Sequence, residues 1–233
     1  MFRGKNCSER KKFNMTKQQE RISSIVKLSL FSAIIVVLSL TPLGYVPLGV
    51  IKATTIHIPV IVGSIMLGWR SGAVLGGLFG LTSLIVNTVT PNLTSFVFTP
   101  FYSLGEAHGN FWSLFVCFVP RILTGIVPYF VFKGIKKLFK SESGALTCAG
   151  FCGSMTNTLL VMNFIYVFFG QEWGAAKGIA ENAVYATILA VIATNGIPEA
   201  IVAAVVTTVV GKTLFKILKG KGTHKNKPRK EDF

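Results

Sequence analysis

Long apolar runs alternate with short polar breaks along most of the chain. A helix of about 20 apolar residues crosses the roughly 30 Å hydrocarbon core of a bilayer. By that length the pattern predicts an all-α, polytopic membrane protein with six transmembrane helices. The predicted spans are residues 26–44, 54–69, 71–90, 111–133, 144–169 and 184–211. We therefore expect one transmembrane domain over residues 26–216, with basic tails at 1–25 and 217–233. A soluble all-α protein is the disfavoured alternative.

The distribution of basic residues predicts the orientation of these spans. The chain has 24 Lys and Arg residues against 9 Asp and Glu. With six spans, the tails and the second and fourth loops share one side, which holds every basic residue except Lys52, Arg121 and Lys177. This asymmetry is the positive-inside pattern and predicts that both termini are cytoplasmic. We expect the basic tails to attract anionic lipid of the bilayer, and we expect no nucleic-acid partner.

Small residues recur at helical spacing in two of the first three spans. Ser29 and Ala33 are four residues apart in the first span, and Gly72, Gly76 and Gly80 form two overlapping GxxxG patterns in the third. Such spacing lets another helix approach closely. We therefore predict that the first three spans serve mainly as packing helices.

The longest break between spans is the aromatic segment "TPNLTSFVFTPFYSLGEAHGNFW". One interpretation is a lid or gate over a binding site. The other is a loop resting at the bilayer interface, where Tyr and Trp are enriched. Its candidate ligand-binding residues are Phe98, Tyr102, Asn110 and Trp112.

The last three spans carry polar groups inside the predicted membrane, namely Arg121, Asn157, Asn163, Asn195 and Glu199. At 1.5 Å per residue, Arg121 lies roughly 15 Å from the start of its span and Glu199 roughly 20 Å from the cytoplasmic edge. A charge at that depth costs about 2.5–3.5 kcal/mol even on insertion scales, so a partner or a function is expected. Three hypotheses remain open. The two charges form an ion pair, Arg121 binds an anionic ligand beside Glu199, or Glu199 exchanges protons.

Catalytic motifs are poorly represented. The sequence contains no GxSxG nucleophile turn, no HExxH pair and no acidic cluster. His57 lacks an evident serine or carboxylate partner in sequence, so a structural role is favoured for it, although it stays among the candidate site residues. We expect neither an enzyme nor a cofactor or metal site. If the protein concentrates a solute across the membrane, the energy would then have to come from partner ATPases or from an ion gradient.

Five stretches carry a resemblance to a known family. They are "PLGVIKATTIHIPVIVGSIMLG", "GAVLGGLFGLTSLIVNT", "SFVFTPF", "GNFWSLFVCFVPRILTGIVPYFVFK" and "NGIPEAI". They resemble the substrate-binding subunits of energy-coupling factor (ECF) vitamin transporters, and most of all the branch assigned to pantothenate. The resemblance covers about residues 25 to 215.

The resemblance implies a high-affinity vitamin-binding subunit in the bacterial plasma membrane. Such a subunit docks on a transmembrane coupling protein and two cytoplasmic ATPases, and delivers the vitamin inward. The family's first-helix AxxxA docking motif falls on Ser29 and Ala33, with Ser in place of the first Ala. The third-helix glycines Gly72, Gly76 and Gly80 are expected to support the same interface.

Pantothenate is compatible with the candidate residues. It carries one carboxylate, an amide and two hydroxyls on a compact branched chain. Arg121 could bind the carboxylate bidentately. The asparagines Asn157, Asn163 and Asn195 could serve the amide and hydroxyls, and the loop aromatics could cover the methyl groups.

Two other function classes stay open. One is an ion-coupled secondary transporter of a small organic anion, with Glu199 as the proton carrier. The other is an intramembrane enzyme or assembly factor, which the missing catalytic motifs disfavour.

Overall fold

A computed structural model of the chain describes residues 5–41, 44–48, 51–105 and 107–223. Residues 1–4 and 224–233 of the two predicted tails lie outside the described residues. The helices are α1 (Lys5–Leu40), α2 (His57–Leu67), α3 (Trp69–Val89), α4 (Phe111–Phe139), α5 (Glu142–Ala176), α6 (Val184–Val191) and α7 (Ile197–Thr223). A π-helical turn (Ile192–Gly196) joins α6 to α7, and 3-10 turns cover Ser95–Val97 and Glu181–Ala183. Two short antiparallel hairpins pair β1 (Tyr45–Leu48) with β2 (Ile51–Thr54) and β3 (Ser103–Leu104) with β4 (Ala107–His108).

The predicted all-α membrane architecture is confirmed. Within the described residues, five helical segments are long and apolar enough to cross a bilayer, and the shorter apolar α2 is the sixth helix of the bundle. The segment from α6 through the π-helical turn into α7 counts as one of the five. The cytoplasmic location of the termini stays a prediction.

Several helix bounds differ from the sequence-based ones. Helix α1 begins at Lys5, inside the segment expected to be a tail, although its span-like part is only Arg21–Leu40. Helix α2 has 11 residues, because it begins only at His57, after β2 ends at Thr54, and it ends before Gly68. Apolar patterning locates the part of a helix that meets lipid, whereas its ends depend on backbone hydrogen bonds in the aqueous flanks.

Helix α4 lies between α3 and α5 at the centre of the bundle. The contact between α3 and α4 is close because of the glycines of α3. A Cβ at Gly76 would overlap the backbone carbonyl of Arg121, and one at Gly72 would overlap that of Gly125. A Cβ at Gly80 would lie 2.9 Å from the Phe118 ring, which is also too close. The expectation that these three glycines dock a partner protein is therefore wrong, because they are buried against α4.

The aromatic segment before α4 is inserted into the bundle as a cap, here defined as residues 95–99. Phe96 and Val97 are fully buried, and Phe96 contacts the edge of the Phe169 ring with 6.1 Å between centroids. The Ser95 hydroxyl donates to Asn87 Oδ1 at 2.9 Å, and the Ser113 hydroxyl of α4 donates to the Phe96 carbonyl at 2.7 Å. These contacts favour the covering role over the interfacial loop for this part of the segment.

Alanine substitutions at two adjacent glycines test the close approach of α3 and α4. We expect Gly76→Ala to lower the melting temperature of the detergent-purified protein, because the added methyl group forces the two backbones apart at a cost of about 1–3 kcal/mol. Gly77→Ala is the matched control, since a Cβ there meets nothing within 4 Å, and it should be neutral or slightly stabilising. Equal melting temperatures for the two variants would contradict this packing.

Candidate functional site

Two cavities lie at the end of the bundle that the cap covers. The larger, of about 740 Å³, is bordered by the C-terminal ends of α1 and α3 and by the cap. The smaller, of about 390 Å³, lies between α5 and the π-helical turn. Thr54, Arg121 and Asn157 border both cavities. Of the polar groups expected inside the membrane, Arg121, Asn157, Asn195 and Glu199 therefore border one shared space, the smaller cavity.

Arg121 is held by a backbone carbonyl that a proline leaves without its usual partner inside helix α4. The residue before it, Pro120, has no N–H to donate to the carbonyl of Val116, four residues earlier. The Arg121 guanidinium takes that place, because Nη1 donates to the Val116 carbonyl at 2.9 Å. Arg121 is 7% exposed, although it borders both cavities. The proline thus creates a backbone acceptor that fixes a buried cation in a cavity wall.

Two aromatic rings also contact the Arg121 guanidinium. Its Cζ atom lies 4.9 Å from the centroid of the Phe98 ring and 5.7 Å from that of Phe79 in α3. Cation–π contacts of this kind are strongest where water is excluded. Phe98 belongs to the cap, so the cap and the cation are in direct contact, and both border the larger cavity. A guanidinium in such a wall is suited to bind a carboxylate or another planar anion.

The Glu199 carboxylate is engaged by groups other than Arg121. Its Oε1 accepts a hydrogen bond from the backbone N–H of Thr54 at 3.2 Å and lies 3.5 Å from Nδ1 of His57. Among the contacts seen in the described part of the chain, its charged or chargeable neighbour is thus His57. The predicted Arg121–Glu199 ion pair is not among them, although both residues border the smaller cavity.

His57 is fully buried at the start of α2 and borders neither cavity. Its placement corrects its candidacy as a ligand-contacting residue. Its contact with Glu199 instead connects the start of α2 with α7, and the Thr54 hydrogen bond connects the end of β2 with the same carboxylate. The sequence carried no signal for this pair, which is 142 positions apart.

The π-helical turn shapes the smaller cavity. The N–H of Ile197 bonds the carbonyl of Ile192, five residues earlier, which widens the helix by one residue. Asn195 and Gly196 of this turn border the cavity. Across the cavity, the side-chain oxygen of Asn157 is buried and has no hydrogen-bond partner among the described residues. An unsatisfied buried amide oxygen is costly, and a ligand donor would offset that cost.

Asn163 and Tyr102 do not reach the cavities. Asn163 is exposed on α5 and donates to the carbonyl of Leu159 in its own helix at 2.7 Å. Tyr102 packs against the apolar cluster beneath the cap. Both were expected at the site, and helical spacing explains the first error, because Asn163 faces away from the side of α5 that carries Asn157.

Asn110 and Trp112 shape the start of α4 rather than the cavities. The Asn110 side chain accepts the backbone N–H of Trp112 at 2.9 Å, and the Ser113 hydroxyl accepts the backbone N–H of Asn110 at 3.1 Å, which completes a capping box. The Trp112 ring stacks on Phe168 of α5, with 4.3 Å between centroids. Both residues therefore have structural roles.

Polar residues of the first half of the chain also border the larger cavity, and sequence reasoning missed them. They are Ser39, Thr41, Thr54, Ser83, Asn87, Thr90 and Asn92. Asn87, Thr90 and Asn92 carry one sequence signal, a polar cluster at the C-terminal end of the third span, which is equally typical of a membrane-interface region. The prediction that the first three spans serve mainly for packing and that only the last three carry the polar groups is therefore too simple.

Ser29 and Ala33 are exposed on α1. Neighbouring positions on the same helix expose large apolar side chains, including Val26 (62% exposed) and Val37 (57%). This surface is available to lipid or to another membrane protein.

Comparison with known proteins identifies relatives over nearly the whole chain. The family model for the substrate-specific component of ECF transporters matches residues 23–211. A pantothenic acid transporter, PanT, from Lactococcus lactis subsp. cremoris is 40% identical over 205 residues, which are 85% of this chain and 97% of that protein. A pantothenate transporter, PanT, from Leuconostoc mesenteroides subsp. mesenteroides is 30% identical over 207 residues, which are 85% of this chain and 95% of that protein.

The structural role of Asn110 can be tested directly. We expect Asn110→Ala to destabilise the protein by about 1 kcal/mol, because the first turn of α4 loses its side-chain acceptor, whereas Asn110→Asp keeps it. Thermal unfolding of the purified protein measures the difference. Asn163→Ala, at an exposed helical position, serves as the control and should leave the melting temperature nearly unchanged. Identical melting curves for Asn110→Ala and the unmodified protein would contradict the capping role.

Proposed function

The chain belongs to the family of ECF transporter substrate-specific components, multi-pass proteins of the bacterial cell membrane, and on this premise we propose that it binds pantothenate. The observation that carries the proposal is a buried guanidinium in the wall of a covered cavity, in a chain 40% identical to a pantothenic acid transporter. The cavity of about 740 Å³ is within the usual range for small-molecule sites, about 300–1,000 Å³.

The proposed anchor is an ion pair between the pantothenate carboxylate and Arg121. One guanidinium nitrogen donates to the Val116 carbonyl, and the planar group carries further N–H donors in a fixed fork. A carboxylate in the cavity would accept from that fork. The Phe98 ring of the cap lies against the guanidinium and would keep water from the pair. Low local polarity strengthens such a charge-assisted bond.

The remaining groups of pantothenate would meet the two asparagines of the smaller cavity. The Asn157 side-chain oxygen is buried and without a partner among the described residues, so it is suited to accept from a ligand hydroxyl or amide N–H. Asn195 borders the same cavity from the π-helical turn. Phe79 and Phe98 supply apolar surface for the methyl groups from the larger cavity. Because Arg121 and Asn157 border both cavities, one extended ligand can occupy the two together.

We further propose that transport requires a transmembrane coupling protein and two cytoplasmic ATPases. Family membership supports this proposal, and a sequence without an evident nucleotide-binding motif is compatible with it. The proposed docking surface is the face of α1 that carries Ser29 and Ala33, which are small and exposed. The glycines of α3 are buried against α4 and do not belong to it.

Binding of the carboxylate to Arg121 is tested with two ligands. We expect the unmodified protein to bind pantothenate at least about 100-fold more tightly than panthenol, the alcohol that lacks the carboxylate, because panthenol cannot form the charge-assisted bond with the Arg121 guanidinium. Arg121→Gln, which keeps a donor for the Val116 carbonyl, should lose this discrimination and bind both ligands weakly. Isothermal titration calorimetry on the purified proteins gives the four dissociation constants.

The comparison is valid only if thermal unfolding shows that Arg121→Gln is folded. Arg121→Lys is a second variant, which retains the positive charge. A folded Arg121→Gln protein that still prefers pantothenate over panthenol by the original factor would refute the role of Arg121.

Coupling is tested by uptake into liposomes. We expect radiolabelled pantothenate to accumulate only when the chain is reconstituted with the coupling protein, both ATPases and ATP. Ser29→Leu should leave pantothenate binding intact and abolish uptake, because a large side chain prevents close helix approach. Ala190→Leu, an equal enlargement at an exposed position of α6, is the control and should transport normally.

The same liposomes decide between coupling mechanisms. Uptake by the isolated chain under a pH gradient, lost in Glu199→Gln, would overturn the coupling-protein proposal in favour of an ion-coupled transporter with Glu199 as proton carrier. Normal uptake by Ser29→Leu would remove α1 as the docking surface.

A further inference from the structure

A third cavity lies at the opposite end of the bundle from the cap. It has a volume of about 480 Å³ and is bordered by Ile65 of α2 and by Tyr129, Phe132, Lys133, Lys136 and Lys137 of α4. We call it the lysine groove. It arises because α2 has only 11 residues whereas α4 has 29, so that the last turns of α4 extend past the end of α2.

The lysine groove is placed at the membrane boundary by the length of α4. Lys133 is 22 residues after Phe111, the first residue of that helix, which corresponds to about 33 Å along its axis. The hydrocarbon core is about 30 Å thick. The lysines therefore reach the level of the lipid headgroups on the side that the basic residues predict to be cytoplasmic.

The groove combines an apolar floor with a cationic rim. The Lys133 ammonium lies 5.9 Å from the centroid of the Tyr129 ring, and that of Lys136 lies 5.3 Å from the Phe132 ring. Lys136 also lies 3.5 Å from a carboxylate oxygen of Glu142. Lys136 is exposed and Glu142 is partly exposed, so solvent screens this pair and weakens it. Lys133 and Lys137 contact no carboxylate within the described part of the chain.

The apolar surface continues from the groove along the outside of the bundle. Tyr129 contacts Phe130 edge to face, with 5.4 Å between centroids, and Phe130 contacts Trp69 at 6.5 Å. Phe130 is 55% exposed and Trp69 is 41% exposed. An acyl chain could lie along this strip while its headgroup occupies the groove.

We propose that the lysine groove binds the headgroup of an anionic phospholipid of the cytoplasmic leaflet. The phosphate diester would lie between the ammonium groups of Lys133 and Lys137, and the acyl chains would follow Tyr129 and Phe130. Charge complementarity and position both point to this occupant, because basic pockets between transmembrane helices on the cytoplasmic side suit anionic headgroups. Nothing in this site touches the two cavities proposed for the vitamin.

Native mass spectrometry of the detergent-solubilised protein tests the proposal. The protein is incubated with phosphatidylglycerol and phosphatidylcholine of identical acyl chains. We expect retention of phosphatidylglycerol in preference to phosphatidylcholine. The double variant Lys133→Gln/Lys137→Gln should bind phosphatidylglycerol about 30-fold less tightly, which corresponds to about 1 kcal/mol for each of the two lysines removed. Arg21→Gln/Lys27→Gln removes the same charge from α1, outside the groove, and should keep the preference.

Four results would overturn the proposal. Equal retention of the two lipids by the unmodified protein is the first. The second is an equal loss in both double variants, which would show a general attraction to positive charge. The third is displacement of phosphatidylglycerol by soluble glycerol phosphate at equal concentration, which would show a site for free phosphate. Full phosphatidylglycerol binding by Lys133→Gln/Lys137→Gln combined with lost binding of the coupling protein would reassign the lysines to protein docking. Pantothenate binding should be unchanged in both double variants, which verifies that they are folded.

Discussion

The hydrogen bond from the Arg121 guanidinium to the Val116 carbonyl is the contact on which the rest of the site depends. A cation inside a membrane protein needs a local acceptor, and a helical backbone normally has none to offer, since each carbonyl is already bonded within the helix. Pro120 removes one N–H and so leaves the Val116 carbonyl available. The cation is thereby fixed in the wall of two cavities, where it is placed to meet an anionic ligand. Glu199, the acidic residue at the same depth, is engaged by Thr54 and His57.

The packing around this contact depends on Gly76, Phe79 and Phe98, which carry no polar or charged side-chain group. The absence of a side chain at Gly76 lets α3 approach the backbone of α4 at Arg121, and this approach brings Phe79 to the guanidinium. On the other side the cap brings Phe98. The cap is in turn held by hydrogen bonds to α3 and α4. Rigid support of this kind is what a site needs if it is to recognise a small polar ligand inside a membrane.

Sequence reasoning predicted the six-helix bundle, because length and apolarity are properties that a sequence displays directly. It also singled out Arg121 and Asn157 as polar groups within the spans, and both border the two cavities. It failed where the answer depends on which side of a helix a residue faces or on which element it meets. Asn163 shares a helix with Asn157 and yet is exposed, and the glycines of α3 carry a docking-like spacing but are buried against α4. The β1–β2 hairpin and the π-helical turn also escaped, since each depends on backbone hydrogen bonds that hydrophobic patterning does not encode.

The most direct measurement is an experimental structure of the purified protein with pantothenate bound, at a resolution that places the carboxylate. The account predicts that both carboxylate oxygens lie within hydrogen-bond distance of the Arg121 guanidinium, beneath Phe98, while Nη1 keeps its bond to the Val116 carbonyl. A carboxylate bound elsewhere, with the Arg121 guanidinium contacting protein groups alone, would contradict it and would show that Arg121 holds the bundle together rather than the substrate.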